Sequence, residues 1–319
     1  MEHPVIELEG LTKYYGRQKA VDGLTLSIGR GEIFGLIGPN GAGKTTTILM
    51  MLGLSEPSAG KATVCGIDAT RNPVAVKRKV GYMPDSVGFY DNLTALENLQ
   101  LIGRLNGIAE QEIIGRAQQT MELVGLADVM HKKTGAYSRG MKQRLGLADI
   151  LVRGPEVMIL DEPTLGIDPG GIQEFLDLVR RLSRQQGLTV LLSSHHLHHM
   201  QQVCDRVGIF VEGKLRMEGD IASISGKLFG QEPCLVTVTS RESLTGQPSV
   251  EAALRDLEGI EDVTVEEHSI GITCSTEITP EIVQLLVGLG IGITGVQRKS
   301  YGLDDIYARF FDNQSNKHS

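Results

Sequence analysis

The chain has 319 residues, of which 41% are hydrophobic and 22% are charged, and its formal net charge at pH 7 is −8. This composition is ordinary for a soluble globular protein, and the length favours one large and one small domain. The acidic balance, without a basic patch, argues against a nucleic-acid partner. Four scattered cysteines without a CxxC pair argue against a disulfide framework or a zinc knuckle, and they favour a reducing compartment.

Neither a membrane span nor a signal peptide is predicted. No apolar run approaches the roughly 18 residues that cross a bilayer. The first ten residues are acidic and contain a proline, so they do not have the pattern of a signal peptide. We therefore expect a cytoplasmic protein that reaches a membrane only through a partner.

Strands and helices alternate through the first two thirds of the chain. The apolar patterns predict strands at residues 5–9, 24–28, 33–38, 79–84, 157–160, 189–194 and 206–215. A helix is predicted after the third strand, and another at about 170–186. This alternation predicts a doubly wound parallel sheet. Residues 86–150 carry apolar residues at three- and four-residue spacing, which predicts an inserted helical subdomain.

The pattern changes near residue 225. Residues 225–233 are interpreted as a linker, and the segments that follow have the order β-α-β-β-α-β, which is the ferredoxin-like order. A short helix, LDDIYARFF, is predicted near the C-terminal end. We therefore predict two domains, residues 1–224 and residues 225–319.

Residues 38–45, GPNGAGKT, match the phosphate-binding pattern G-x-x-x-x-G-K-[ST]. A buried strand is predicted before them and a helix after them, so an ordinary strand–helix turn is a poor alternative. The glycines let backbone N–H groups approach phosphate oxygens, and the helix adds its positive N-terminal end. Lys44 is expected to reach the β- and γ-phosphates of ATP, and the Thr45 hydroxyl is expected to bind Mg²⁺.

A second motif, VMILDE at residues 157–162, completes the predicted nucleotide site. Four apolar residues place Asp161 at the carboxyl end of a central strand, where doubly wound sheets bind ligands. Asp161 is expected to hold Mg²⁺ through water, and Glu162 is expected to orient the attacking water. The alternative, two solvated acids at a strand end, is disfavoured by the phosphate loop upstream and by Pro163. Together the two motifs indicate a P-loop NTPase.

Further motifs narrow this class. Residues 137–145, YSRGMKQRL, resemble the LSGGQ signature of ABC ATPases, and LGIDP at 165–169 resembles their D-loop. SSH at 193–195 ends a predicted strand, as the switch histidine of that family does. With YYG at 14–16, the motifs follow the ABC order across residues 4–224. The chain thus closely resembles the ABC ATPase family, which implies an α/β P-loop cassette with an inserted helical subdomain, followed here by the small ferredoxin-like α+β domain.

The resemblance implies a role for each matching residue within one chain. Tyr15 is expected to stack on the adenine of ATP. Glu162 and His195 are expected to be the catalytic residues, because His195 would contact the γ-phosphate and help to hold the water near Glu162. The expected phosphate cradle consists of Gly38, Pro39, Asn40, Gly41, Ala42, Gly43, Lys44, Thr45 and Thr46.

The resemblance also implies that two cassettes act together. Ser138 and Gly140 are expected to contact the γ-phosphate of ATP bound to the opposite protomer, and Asp168 is expected to couple the two sites. A second ATPase protomer, in a homodimer, is therefore one expected partner. Mg²⁺ is expected to carry much of the charge that develops during hydrolysis.

Two positions depart from the family pattern. Arg139 stands where the signature usually has glycine; some exporter branches have a basic residue there, so we expect function to be retained. Asp85, in GYMPDS at the Q-loop, stands where glutamine is typical. A carboxylate can bind Mg²⁺, but it cannot donate a hydrogen bond and it repels phosphate.

The C-terminal extension looks like that of ABC-2-type exporter ATPases, in which the permease is a separate chain. The stretch at residues 83–99, with its Q-loop acid, is similar to the ATPase of the nitrous-oxide-reductase copper-maturation transporter. The resemblance implies an ATP-hydrolysing motor that lies at the inner face of the membrane through its permease. The alternative is a soluble ABC protein that acts as an ATP-dependent conformational switch, for which the single cassette and the acidic balance are unfavourable.

Overall fold

The fold is described from a computed structural model, which describes residues 4–230, 232–245, 248–299 and 301–315. The chain divides into two compact units, Met1–Ile221 and Ala222–Ser319. The strands of the first unit are β1 (Ile6–Tyr15), β2 (Gln18–Ile28), β3 (Ile33–Ile37), β4 (Ala59–Val64), β5 (Ile67–Asp68), β6 (Val80–Met83), β7 (Val157–Asp161), β8 (Thr189–Ser194), β9 (Arg206–Val211) and β10 (Lys214–Gly219). Its helices are α1 (Lys44–Met51), α2 (Pro73–Lys79), α3 (Ala95–Leu105), α4 (Glu110–Leu123), α5 (Arg139–Leu151), α6 (Pro169–Gln186) and α7 (Leu197–Val203).

The largest sheet of the first unit has six strands in the order β10-β9-β3-β8-β7-β6. The five strands from β9 to β6 are parallel, and β10 is antiparallel to β9. Every residue of β3, β7 and β8 is buried, which explains the apolar runs that these strands contain. Because β3, β6, β7 and β8 are parallel, their carboxyl ends lie along one edge of the sheet. The phosphate-binding motif and the predicted catalytic residues follow these ends.

A second, antiparallel sheet has the order β2-β1-β4-β5. The predicted strands at 5–9 and 24–28 are too short, because β1 and β2 continue to a two-residue turn at Gly16 and Arg17. Gly16 has a φ of 60°, the left-handed conformation that such tight hairpin turns require. Polar residues alternate with buried ones along both strands, so the apolar pattern alone did not show their full length.

The helical subdomain predicted at residues 86–150 consists of α3, α4 and α5, inserted between β6 and β7. Thr94 caps α3 in a reciprocal arrangement with Glu97, whose carboxylate accepts a hydrogen bond from the Thr94 backbone. Helices α3 and α4 pack closely at Gly103. A Cβ atom on this residue would lie only 3.0 Å from the Ile113 side chain of α4. The apolar three- and four-residue spacing therefore corresponds to the core of this subdomain.

The second unit contains α8 (Ile221–Phe229), β11 (Cys234–Ser240), α9 (Pro248–Arg255), β12 (Ile260–Val265), β13 (Ser269–Cys274), α10 (Thr279–Gly288), β14 (Ile293–Arg298) and α11 (Leu303–Ser315). From β11 to β14 this is the β-α-β-β-α-β order that the sequence predicts. Its sheet is antiparallel, in the order β12-β13-β11-β14. Buried residues that include Val238, Ile272 and Leu286 form its core.

The segment predicted to be a linker, residues 225–233, is helical over much of its length. Helix α8 covers its first five residues, and Ile224 and Phe229 of this helix are buried. Burial of these two apolar side chains stabilises the helix where the sequence analysis placed a linker. The division between the compact units accordingly lies at residue 221 rather than 224.

Candidate active site

The phosphate-binding motif connects β3 to α1. Gly43, the residue before α1, has a φ of 105°, and a Cβ atom there would lie 2.4 Å from the Ala20 carbonyl oxygen. A Cβ atom on Gly38 would lie 2.4 Å from the Phe210 carbonyl oxygen. Both positions therefore require glycine for packing, and Gly43 also requires it for its backbone conformation. The N–H groups at the start of α1 have no side-chain cap, which leaves them free to bind an anion.

Lys44 is held against the loop that precedes it. Its side chain is nearly buried, and Nζ donates hydrogen bonds to the carbonyl oxygens of Gly38 (2.7 Å) and Pro39 (3.2 Å). Nζ also lies 3.3 Å from Oε1 of Glu162. This oxygen is buried and accepts no hydrogen bond, so its contact with Lys44 is electrostatic. The ammonium group thus contacts the predicted catalytic carboxylate directly.

Glu162 is positioned by its backbone as well as by its side chain. Its φ is 48°, in the left-handed region that a non-glycine residue seldom adopts. Its N–H donates to the carbonyl oxygen and to the hydroxyl oxygen of Ser193, both at 3.1 Å. Its Oε2 lies 2.9 Å from Nδ1 of His195. Because an ionised carboxylate only accepts hydrogen bonds, Nδ1 carries the proton and Nε2 is left for another partner.

Asp161 is buried at the end of β7, with 3% of its surface exposed. The Ser193 hydroxyl, at the end of β8, donates a hydrogen bond to its Oδ1. Burial, followed by the charges of Asp161 and Asp85, raises the pKa of Tyr82 to about 12. Tyr82 is therefore close to both carboxylates, one from β7 and the other from the loop after β6.

These groups face one cavity of about 430 Å³ at the carboxyl edge of the parallel sheet. The residues that line it are Ala20, Asn40, Gly41, Ala42, Gly43, Lys44, Thr45, Thr46, Tyr82, Asp85, Asp161, Glu162, Leu165 and His195. The structure therefore brings together most of the predicted nucleotide site. Tyr15 does not line the cavity: it ends β1, and its side chain is half exposed. Gly38 and Pro39 contribute the carbonyl groups that hold Lys44 rather than a lining surface.

The predicted signature and D-loop residues line a different cavity, of about 410 Å³. Ser138 caps the N-terminus of α5, where its hydroxyl accepts a hydrogen bond from the Met141 N–H (3.2 Å). Asp168 caps α6 in the same way, accepting from the Gly171 N–H (3.0 Å). Gly140 also lines this cavity, which shares no lining residue with the first. The N-termini of α5 and α6 thus both face this cavity.

The two residues that depart from the family pattern lie at a third cavity, of about 340 Å³. Asp85 lines both this cavity and the one around Lys44, and Arg139 lines it from the start of α5. A Cβ atom on Gly166 would lie 2.7 Å from Cζ of Arg139, so the guanidinium group lies over this glycine of the D-loop. Opposite charges therefore occur on the two sides of the third cavity.

Known proteins are similar to this chain in sequence and in fold. The family model described as "ABC transporter" matches residues 21–165, and a model described as "AAA domain, putative AbiEii toxin, Type IV TA system" matches residues 133–200. The chain is 44% identical over 214 residues to the bacitracin transport ATP-binding protein BcrA of Bacillus licheniformis, an alignment that covers 67% of this chain and 69% of the relative. It is 35% identical over 308 residues to the daunorubicin resistance ATP-binding protein DrrA3 of Streptomyces coeruleorubidus, with 96% of each chain covered. The chain belongs to the ABC transporter ATP-binding proteins.

A solved structure shows the same fold in another ABC protein. It is titled "Structure of ATP binding subunit of ABC transporter", and it is 31% identical to this chain with a TM-score of 0.63. The match covers 71% of this ABC ATPase and 93% of the other chain. The predicted cassette fold is thereby confirmed, as is the prediction of an ATP-binding, ATP-hydrolysing subunit of a transporter. In the part of the chain that the structure describes, no helix is long and apolar enough to cross a membrane.

The cavity around Lys44 has the oxygen donors that Mg²⁺ prefers. The Thr45 hydroxyl is exposed to the cavity, and the carboxylates of Asp161 and Asp85 line it. Nowhere among the described residues do three His, Cys, Asp or Glu side chains form a metal-binding group. The donor set of this ABC ATPase is therefore two carboxylates and a hydroxyl, which suits an ion that keeps several waters and binds phosphate oxygens.

Sequence reasoning missed three residues that line this cavity. Ala20 belongs to no motif, whereas Tyr82 lies in GYMPDS and Leu165 is the first residue of LGIDP. Their positions follow from the packing of β2, β6 and the D-loop around the ABC nucleotide cavity. Tyr82 and Leu165 therefore had a sequence signal, since each belongs to a motif of which another residue was assigned to the site.

Proposed function

We propose that this ABC ATPase drives an ABC-2-type exporter, and that two copies bind two ATP molecules between them while a separate permease carries the cargo. The observation that carries the proposal is the separation of the site into two cavities. Lys44, Glu162 and His195 line one, whereas Ser138, Gly140 and Asp168 line the other. A complete ATP site then forms only when the signature cavity of a second copy closes over the first cavity.

The residues of the first cavity would share the work of hydrolysis. Lys44 would turn from Glu162 to the β- and γ-phosphates, which releases the Glu162 carboxylate to orient water. His195 would hold that water and the γ-phosphate between Glu162 and the signature residues. Mg²⁺, bound by Thr45, Asp161 and Asp85, would supply positive charge beside the phosphate oxygens. Tyr15 at the end of β1 would stack on the adenine.

Mixed variants test the shared site. Lys44→Ala removes phosphate binding from one cavity, and Ser138→Arg blocks the other, so each homodimer is expected to be inactive. A mixed dimer has one intact site, made of the P-loop cavity of the Ser138→Arg copy and the signature cavity of the Lys44→Ala copy. ATPase activity should therefore reappear when the two inactive proteins are mixed. If the mixture stays as inactive as its components, the proposed two-copy site is wrong.

An apolar groove on the helical subdomain supports the proposed permease contact. Its cavity, of about 200 Å³, is lined by residues that include Met83, Phe89, Leu101 and Ile102. Tyr90 borders it with 64% of its surface exposed. Such an exposed apolar surface is typical of a protein-binding site. A permease segment seated here would hold the ATPase at the inner face of the membrane.

Copurification tests this contact. A tagged chain, solubilised with detergent from membranes of its own host, is expected to copurify with a multispanning permease. Tyr90→Asp should lose the permease but keep ATP binding, whereas Tyr14→Asp, at an exposed tyrosine outside the groove, should keep both. Purification of the parent chain without any membrane protein would contradict the transporter assignment.

The relatives suggest what the exporter carries. Their names refer to bacitracin transport and to daunorubicin resistance, so we propose that this transporter exports an antibiotic. A host in which the chromosomal copy carries Glu162→Gln should become more sensitive to the exported compound. Unchanged sensitivity to bacitracin and to daunorubicin would exclude these two cargoes. The similarity to the copper-maturation ATPase stays a prediction.

A further inference from the structure

Two cysteines of the second unit are direct partners across its sheet. Cys234 is the first residue of β11, and Cys274 is the last residue of β13. The antiparallel ladder pairs them directly, and it continues without a register shift to Thr239 and Ser269. Both thiols are free. The 39 intervening residues gave no sign of this pairing, because it depends on the register of two strands that are not adjacent in the chain.

The geometry of such a pair permits a disulfide. Directly opposed residues of an antiparallel ladder have side chains on the same face and Cα atoms about 4.5 to 5.5 Å apart. Disulfides bridge Cα atoms that are about 4.4 to 6.8 Å apart. The Cα spacing of Cys234 and Cys274 is therefore within the range of a disulfide.

The two thiols differ in access. Cys234 is partly exposed, and its Sγ lies 3.7 Å from Oε2 of Glu277. Cys274 is fully buried. A low-molecular-weight disulfide from solution can therefore reach Cys234 first. Cys274, its buried neighbour on the adjacent strand, is then placed to attack the mixed disulfide that forms on Cys234.

Both thiols resist ionisation. Burial raises the pKa of Cys274 to about 11, with a further contribution from Cys234. Burial also raises the pKa of Cys234, and the charge of Glu277 adds to the effect. Because the thiolate is the nucleophile, exchange at neutral pH is slow. Thiols of high pKa are also poor leaving groups, so a disulfide formed here would be broken slowly as well.

We propose that Cys234 and Cys274 form a reversible disulfide in the C-terminal unit when the chain meets a low-molecular-weight disulfide such as glutathione disulfide. The Cys234 thiolate attacks one sulfur of glutathione disulfide, which forms a mixed disulfide and releases one glutathione thiolate. The Cys274 thiolate then attacks the Cys234 sulfur and releases the second. The two protein thiols are oxidised and lose their protons, and one glutathione disulfide is reduced to two glutathione molecules.

The bond would join the start of β11 to the end of β13. It would close a loop that contains α9 and β12, which restricts the unfolded chain and stabilises this unit. Its formation depends on neither ATP nor a permease, so the inference is independent of the proposed function.

The experiment uses the full chain carrying Cys65→Ser and Cys204→Ser, so that only the proposed pair can react. After incubation with glutathione disulfide, the protein should lose the mass of two hydrogen atoms, and a peptide map should show Cys234 joined to Cys274. Cys274→Ser should instead keep a glutathione adduct on Cys234. Restoring Cys65 and Cys204 should leave the product unchanged.

The rate should rise about tenfold per pH unit between pH 7 and pH 9, as the thiolate fraction rises. Glu277→Gln removes the neighbouring negative charge and should speed the reaction at neutral pH. Disulfide-linked dimers as the main product would overturn the proposal. So would a stable glutathione adduct on Cys234 while Cys274 is present, or no reaction even at pH 9.

Discussion

A lysine, a glutamate and a histidine of the P-loop cavity contact one another in a row. Lys44 lies 3.3 Å from Glu162, and Glu162 lies 2.9 Å from His195. An incoming phosphate competes with Glu162 for the Lys44 ammonium. If Glu162 is the base, as we propose, its carboxylate would be released from Lys44 only when a phosphate is bound, which would couple nucleotide binding to the exposure of the base.

The first prediction at this scale concerns Glu162→Gln. The amide keeps the shape of the side chain but cannot accept a proton, so kcat should fall by about 10²- to 10⁴-fold, the contribution of a positioned general base. ATP binding should be retained or strengthened, because Lys44 no longer has a carboxylate partner. Steady-state ATPase rates and ATP titration measure the two effects. Glu156→Gln is the matched control, since Glu156 pairs with Arg30 and Lys79 outside the cavity; equal rates in the two variants would remove Glu162 from catalysis.

The second prediction concerns Asp85 and Mg²⁺. A carboxylate beside phosphate oxygens is repulsive without metal and attractive with it. ATP affinity should therefore depend more steeply on Mg²⁺ in the parent chain than in Asp85→Asn, whose neutral amide removes the repulsion. Titrations of ATP with and without Mg²⁺ measure this difference. Asp128→Asn, at an exposed acid outside the cavity, should behave as the parent chain does; the same behaviour in Asp85→Asn would make Asp85 a loop residue only.

Much of the residue-level site follows from the sequence, because phosphate binding needs glycines and a lysine at fixed spacing within one short segment. Lys44 could be assigned in this way, and Asp161 and Glu162 could be assigned from their place at the end of a predicted apolar strand. The family resemblance predicted His195 near Glu162, but their direct contact depends on where β8 ends relative to β7. The position of Arg139 over Gly166 had no signal either, because it depends on side-chain packing between the signature and the D-loop.

At the scale of elements, α8 is the main difference from expectation. Phe229 at its end stacks on Tyr301, with ring centroids 4.1 Å apart and planes inclined by 6°. The guanidinium of Arg309, from α11, lies over the Phe229 ring. Phe229 and Tyr301 are about 70 residues apart in the chain, so no local sequence pattern predicts their contact. The parallel strands, in contrast, could be predicted from their apolar runs. This aromatic contact makes α8 part of the C-terminal unit.

The prediction at this scale is that Phe229→Ala loosens the second unit. Loss of a buried aromatic ring costs about 3 to 5 kcal/mol, and this cost should appear as faster amide hydrogen exchange in β11 to β14. Exchange in β3, β7 and β8 should not change, because those strands belong to the first unit. Val287→Ala, at a side chain with 58% of its surface exposed, is the control and should have little effect. Protection equal to that of the parent chain would show that α8 does not support the unit.

At the scale of the whole molecule, the prediction concerns concentration. If Ser138 acts on ATP bound to another copy, the specific ATPase activity of the purified chain should rise with its own concentration until dimers form. Rate measurements across a dilution series, with sedimentation to follow the dimer, test this expectation. Specific activity that is constant across concentrations at which only monomers are present would place the whole site within one chain.

The division of the site between two cavities also has a genetic consequence. Consider a cell that makes equal amounts of the parent chain and of a Ser138→Arg chain. If the copies pair at random, roughly a quarter of the dimers would consist of two parent copies. Half of the pairs would be mixed and would keep one intact site. An allele at Ser138 should therefore be partly dominant, while an allele that prevents folding should be recessive. The inheritance pattern of transport activity in merodiploid strains would then report whether both ATP sites are needed for each transport cycle.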